Sequence, residues 1–319
     1  MERRPQLWLL GALALAAVVA ALARPLGFNS YFVSVAVDVA INLVLAVSLN
    51  LINGHTGQFS LGHAGFMAVG AYVAAALTLA LGVPTGPAAV ATGPGLFVLA
   101  LVLGGCAAAV AGLAVGLPSL RLKGDYLAIV TLGFGEIIRV ILQNSEAVGG
   151  ASGLKQIPRL TNLAWAWGAA ALTVYTVTCL VNSTYGRGFI AVHDDEVAAR
   201  SLGINPTRYK VTAFVLGAFF AGLAGGLYAH HKQFISPSGF DFNKSIEIVV
   251  MVILGGMGRT AGVIGATILL TLLPEMLRGV AEYRMILYAL LIIGLMLTRP
   301  QGLFWLRRSG AGIRSGKPA

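Results

Sequence analysis

Between positions 32 and 52 the chain reads FVSVAVDVAINLVLAVSLNLI, 21 residues with one charge, Asp38. An α-helix rises about 1.5 Å per residue, so about 20 apolar residues cross the ~30 Å hydrocarbon core of a bilayer. Inside that core each backbone N–H and C=O needs a partner within the structure itself, which leaves only helices or a closed barrel. Barrel strands would show alternating apolar and polar residues in segments of about ten, and no such alternation is present. Similar apolar runs recur along the 319 residues. The expected fold class is therefore an all-α polytopic membrane protein, a single transmembrane domain over 1–319 with about ten helices. They read as 7–24, 32–52, 60–82, 95–117, 126–143, 163–182, 211–230, a short one at 246–257, then 260–278 and 284–298. The stretch SIEIVVMVILGGMGRTAGVIGATILLTLLPEML fits either one kinked helix or two shorter ones around Gly255, Gly256 and Gly258.

Charge is scarce, 11% of residues, against about 25% in an ordinary soluble domain. Its distribution orients the chain. With the N-terminus inside and ten crossings, 14 of the 22 Lys and Arg residues fall on the inner side and 8 on the outer, as the positive-inside rule requires. Nine crossings would leave RPQGLFWLRRSGAGIRSGK outside. Both termini are thus expected in the cytoplasm, with a basic tail at 304–319. The basic residues are scattered over short loops, which argues against nucleic acid. Cys106 and Cys179 lie in apolar runs and read as two buried thiols rather than a disulfide. The first segment, MERRPQLWLLGALALAAVVAALARPL, imitates a signal peptide and is taken as a retained helix.

One segment breaks the pattern. VHDDEVAARSLGINPTRYK, from Val192 to Lys210, holds three acids, two arginines, a lysine and a histidine. It lies in a loop, 187–210, between the sixth and seventh crossings on the cytoplasmic side. Asp194 is suited to N-cap a short helix, with Asp195 and Glu196 in its first turn. Gly203 is a natural stop at C′. A helix of about 195–202 is too short to be stable alone, and Val197 and Leu202 have too little around them to form a core. The loop is either a solvated turn of helix or a docking element for a cytoplasmic partner.

Other polar residues are few. Asp38 and Asn42 sit one turn apart in the second crossing. Glu136 and Arg139, at i and i+3, can pair along one helix face. Ionisable groups at membrane depth face a bundle interior or an aqueous path, so these are candidates for helix packing or for the border of a translocation path. His55 and His63 flank a glycine-rich turn with Asn53 and Gln58. No carboxylate or thiol lies close enough in sequence to complete a metal site, so polar packing of a helix bend is the plain reading and a gate the sharper one. Gly70 with Ala74, and Gly104 with Ala108 and Gly112, set small residues four apart, which lets helices approach closely. Ser152 in GASG and His230 imitate an intramembrane Ser-His pair, but the polar LKQIPR after Ser152 argues against it. No P-loop is present, since SGKPA lacks the upstream glycine and a Ser or Thr after the lysine.

AVHDDEVAARSLGINPTRYKVTAFVLGAFFAGLAGGLYA resembles the coupling-helix loop of ABC importer permeases, in particular the branched-chain amino-acid permease family (LivM-type). LNLINGHTGQFSLGHAGFMAVGAYVAAAL, LPSLRLKGDYLAIVTLGFGEIIRVILQN with the following GGASGL, SIEIVVMVILGGMGRTAGVIGA and RPQGLF are similar to the same family in the same order. Residues 1–30 and 82–95 carry no resemblance. The resemblance implies one of two nonidentical permeases in a bacterial inner membrane, with two ABC ATPase subunits and an extracytoplasmic substrate-binding protein. This chain would hold no cofactor or metal and have no catalytic residue, and ATP and Mg would bind the ATPases. Asp194, Asp195, Glu196, Ala199, Arg200 and Gly203 would couple to the ATPase. Asp38, Asn42, Gln58, His63, Glu136 and Arg139 would border the path or pack helices, and on the outer face Lys232, Lys244, Glu275, Arg278, Glu282 and Arg284 are candidates to dock the binding protein, since charge pairs steer encounters. A permease for urea or amides, or an ion-coupled transporter using Asp38 or Glu136, are the alternatives.

Overall fold

The computed structural model describes residues 30–82, 89–119 and 124–277, with single positions at 286, 289–290 and 293–294. The expected crossing at 7–24 and the tail at 304–319 lie outside the described residues, as does most of 284–298. Ten α-helices are found among the long described stretches: α1 (Ser30–Asn50), α2 (His63–Ala80), α3 (Ala89–Ser119), α4 (Asp125–Asn144), α5 (Leu163–Asn182), α6 (Gly186–Asp194), α7 (Glu196–Ser201), α8 (Pro206–Lys232), α9 (Phe242–Gly255) and α10 (Thr260–Met276). The eight expected crossings between 32 and 278 each coincide with one of the longer helices. Five stretches are long and apolar enough to span a membrane: Ser30–His55, His63–Ala80, Pro94–Pro118, Leu163–Asn182 and Pro206–Lys232.

The departures have local causes. α8 starts five residues before the expected 211, because the Asn205 side chain accepts from Arg208 N and Pro206 occupies the first helical position, where a missing N–H costs nothing. α9 starts at Phe242 because the Asp241 carboxylate accepts from Lys244 N at 3.0 Å. The ambiguous stretch around Gly255 is two helices, separated at Gly256, whose φ of +89° ends α9. α1 runs past Asn50 into a π-turn, Leu51–His55.

The tightest packing joins α2, α3 and α8. A Cβ on Gly70 would lie 2.2 Å from the Gly222 Cα, and one on Gly104 would lie 2.8 Å from the Gly70 carbonyl oxygen. The four-residue stripes of α2 and α3 thus form this seam. α1 is buried continuously from Val39 to Asn50 and packs against α5, α8, α9 and α10, as expected of a helix apolar on all faces. α4 instead exposes Tyr126, Ile129, Ile137 and Ile141. Cys106 and Cys179 are free thiols, but they are not both buried: Cys106 is exposed and Cys179 is partly so. Apolar runs in a membrane protein turn side chains outward as well as inward, so apolarity did not imply burial here.

The bundle has two polar ends. At one, the start of α1 meets the ends of α8 and α10 and the start of α9, and Leu154 pairs with Ile235 through two backbone hydrogen bonds of 2.9 and 3.1 Å. At the other, the turn after α1, the α6–α7 loop and the α9–α10 break come together.

Candidate functional site

At the second end the short charged segment is built as two helices. α6 ends at Asp194. Asp195 is extended (φ −155°, ψ 110°) and its Oδ1 accepts from Val197 N at 2.8 Å and Ala198 N at 3.0 Å. The N-cap is therefore Asp195 and not Asp194, because Asp194 still belongs to the preceding helix. The N–H groups of Ala198 and Val197 hold the Asp195 carboxyl below the ordinary carboxylate range. With a folded value depressed below the unfolded one, this cap contributes at neutral pH and is lost as pH falls through that range. At the other terminus Gly203 N donates to Arg200 O and Ile204 N to Ala199 O, both at 3.0 Å. Gly203 has φ +83°, the left-handed conformation that closes such a Schellman motif. A helix of six residues is thus fixed at both ends.

Its faces are distinct. Ala199 is buried against the protein, while Val197 and Leu202 are 70% and 81% exposed. Glu196 is held by Lys210 Nζ at 2.7 Å and lies 3.5 Å from Arg200 Nη2, which ties α7 to the base of α8. α6 is bound to α8 by rings: Tyr185 stacks on Tyr209 at 4.6 Å, and Phe189 meets both edge-on. Gly188 allows this, since its Cβ would lie 2.2 Å from the Tyr209 ring.

α6 abuts the broken segment after α1. A Cβ on Gly57 (φ +68°) would lie 3.0 Å from the His193 ring. Within this segment Asn53 exchanges two hydrogen bonds with the backbone of Ser60. Asn50 Oδ1 accepts from Gly258 N at 2.9 Å, joining α1 to the α9–α10 break. Leu61 N donates to Thr131 Oγ1 of α4. His63 meets Ser48 at 2.9 Å, and His55 lies 3.4 Å from Asn50 Nδ2. Gln58 is 2% exposed, yet neither atom of its amide has a hydrogen-bond partner among the described residues.

At the opposite end α1, α8, α9 and α10 enclose a cleft of about 280 Å³. Lys232 Nζ meets Asp38 Oδ2 at 2.9 Å, and Lys244 Nζ meets Glu247 Oε2 at 2.9 Å and Asn42 Oδ1 at 3.3 Å. Asn42 Nδ2 donates to Thr271 Oγ1 at 3.2 Å, and Tyr31 OH donates to Glu275. Val35, Ile41, Leu270 and Pro274 supply an apolar wall.

The structure thus brings Asp38 and Asn42 together with Lys232, Lys244 and Glu275, which sequence reasoning had grouped only as outer-face charges, and adds Glu247 and Thr271, which it had not joined to them. Their common signal is charge at helix ends. Arg278, Glu282 and Arg284 lie outside the described residues. Glu136 and Arg139 pair at 2.7 Å as half-buried side chains of α4, and neither lines the cleft. His230 engages Thr78 at 3.0 Å and the Gly226 carbonyl at 2.8 Å, so both ring nitrogens are occupied in helix packing.

A family model described as branched-chain amino acid transport system / permease component matches residues 31–297. The chain is 36% identical to the high-affinity branched-chain amino acid transport system permease protein LivM of Salmonella typhimurium over 95% of its length and 77% of the relative's. Identity to the Escherichia coli K12 LivM is also 36%, over 94% and 76%. Identity to the permease protein LivH of the same E. coli strain is 25%, over 82% and 90%. No solved structure matches significantly.

Proposed function

Because the chain belongs to the branched-chain amino acid transport system permease family, we propose that it is a permease subunit of an ATP-driven importer for branched-chain amino acids. It would cross the membrane about ten times with both termini cytoplasmic. It would share the translocation path with a second, LivH-like permease, take ATP hydrolysis from two ABC ATPases that hold ATP and Mg, and receive solute from an extracytoplasmic binding protein.

The observation that carries this reading is α7. A six-residue helix capped at both ends, tied to α8 and presenting Val197 and Leu202 outward, has the form of a rigid coupling element. Closure of an ATPase dimer would push on α7. The aromatic cluster of α6 and α8 and the Glu196–Lys210 pair would pass that displacement into α8. His193 would pass it to the Gly57 turn, and Asn50 to Gly258. The turn at 56–62 then acts as an inner gate, with the Gln58 amide meeting water or a moved partner in another state.

The test is uptake by proteoliposomes holding this chain, its partner permease, the ATPases and the binding protein. Leucine uptake is expected to require ATP and to persist with a protonophore. Uptake that fails with protonophore and ignores ATP sinks the importer reading. Uptake of urea in place of leucine replaces the solute.

The gate has its own check. Gln58→Met keeps the shape and removes two unsatisfied polar atoms, each of which costs about 1–3 kcal/mol when buried. The expected outcome is a thermal midpoint equal to or above that of the parent, with leucine uptake lowered severalfold. A lower midpoint with normal uptake makes Gln58 a packing residue.

A further inference from the structure

The charged cleft at the far end from α7 is built unlike a packing seam. Among the described residues two lysines face three carboxylates, one negative charge more than the lysines balance. The two lysine pairs account for Asp38 and Glu247. The surplus falls on Glu275, which no salt bridge reaches among the described residues and whose partner is the Tyr31 hydroxyl. Beside it, Pro274 interrupts α10. Proline has no N–H, so it cannot satisfy the carbonyl four residues back, and that residue, Leu270, also lines the cleft. A carboxylate with no cation among the described residues and a carbonyl without its i+4 helical donor both belong to residues that line the cleft, and both suit a hydrogen-bonding cation. Across the cleft Lys244 has its ammonium on Glu247 and on the Asn42 amide oxygen.

We propose that this cleft is a transit site for a zwitterionic α-amino acid, with the ligand ammonium on Glu275 and the Leu270 carbonyl and the ligand carboxylate on Lys244. The proposal rests on the importer reading above and deepens it. A zwitterion brings its ammonium to Glu275, shares Lys244 with Glu247 through its carboxylate, and adds no net charge to the site. A simple anion meets three carboxylates, a simple cation gains nothing from Lys244, and an uncharged amide cannot replace either ion pair. The wall of Val35, Ile41 and Leu270 accepts an aliphatic side chain, and a cleft of this size lies near the lower end, roughly 300 Å³, of small-molecule sites. Both lysine pairs are partly open to solvent, with side-chain exposures of 20–38%. Such pairs are exchanged readily, as a site that must also release its ligand requires.

The experiment uses the complete importer in proteoliposomes with Cys106→Ser, Cys179→Ser and Thr271→Cys. Labelling of the introduced thiol by a methanethiosulfonate is timed with leucine, isocaproate (no amine) or isopentylamine (no carboxylate), and leucine uptake is measured in parallel. Leucine is expected to slow labelling severalfold, with neither analogue doing so at equal concentration. Lys244→Met and Glu275→Gln should each weaken that protection at least tenfold while labelling persists, and Lys244→Arg should retain it. Equal protection by either analogue, or protection unchanged in Lys244→Met and Glu275→Gln, overturns the assignment. So does loss in Lys244→Arg as complete as in Lys244→Met. Leucine uptake without protection removes the site and leaves the importer reading standing. Protection without uptake removes the importer reading and leaves the site.

Discussion

Gly225→Ala is expected to yield no folded, detergent-stable protein. A Cβ there would stand 2.0 Å from the Met67 carbonyl oxygen and 2.8 Å from Ala71 N. Both are backbone atoms of α2, so no side-chain rotation relieves the clash. One turn away, Gly222 and Gly70 are in the same near-contact. Relief would require α8 to move off α2 along the seam. Helix association within a bilayer depends on van der Waals packing and close backbone approach, because lipid tails are as apolar as leucine. Losing the seam therefore removes what holds α2, α3 and α8 together. Overpacking a core costs about 1–3 kcal/mol when side chains can yield. Here they cannot, and a loss above about 4 kcal/mol is the expectation. Size-exclusion profiles and thermal midpoints of a fluorescent fusion provide the readout. Gly168→Ala is the control: its Cβ meets nothing within 4 Å, and replacing a helix glycine by alanine stabilises by about 1 kcal/mol. A wild-type midpoint for Gly225→Ala sinks the close-seam account.

That seam was half legible in the sequence. The stripes of Gly70 and Ala74, and of Gly104, Ala108 and Gly112, marked α2 and α3 as closely packed, since a helix shows its own periodicity. Which helix they receive depends on pairing between distant segments, and one sequence does not record pairing. The cleft was opaque for the same reason. Asp38, Lys232, Lys244 and Glu275 come from four helices; the sequence grouped the last three only as outer-face charges and placed Asp38 with Asn42 in a crossing, and nothing in it joined the two sets. Glu136 and Arg139 were legible because their partnership is local, at i and i+3. The spans were legible because apolar length is itself the signal, whereas their starts slipped where Asn205 or Asp241 caps a helix earlier than hydropathy suggests. In the charged loop, composition predicted a short capped helix ending at Gly203. It placed the cap one residue early because adjacent aspartates look alike until it is known where α6 stops. Ala199, taken as a coupling residue, is buried, and the apolar pair that stands outward is Val197 and Leu202.

Replacing that pair is expected to uncouple the permease without unfolding it. Val197→Lys with Leu202→Glu alters side chains that are 70% and 81% exposed, where substitutions usually change stability by about 0.5 kcal/mol or less. The caps at Asp195 and Gly203 and the Glu196–Lys210 tie are untouched. A groove that buries α7 would gain about 1.5–3 kcal/mol from each apolar anchor. Removing both therefore weakens association by about 3–6 kcal/mol, or roughly 10²–10⁴-fold, before any cost of burying the new charges. The tagged double variant should keep its thermal midpoint and its partner permease, lose the ATPases on purification, and show leucine uptake at background. Glu196→Ala should behave differently. It frees α7 from Lys210 but leaves the apolar pair in place, so the ATPases should remain bound and turn over while uptake falls. If the double variant retains its ATPases and transports normally, α7 is a solvated turn, and the motor must be met by another part of this end of the bundle.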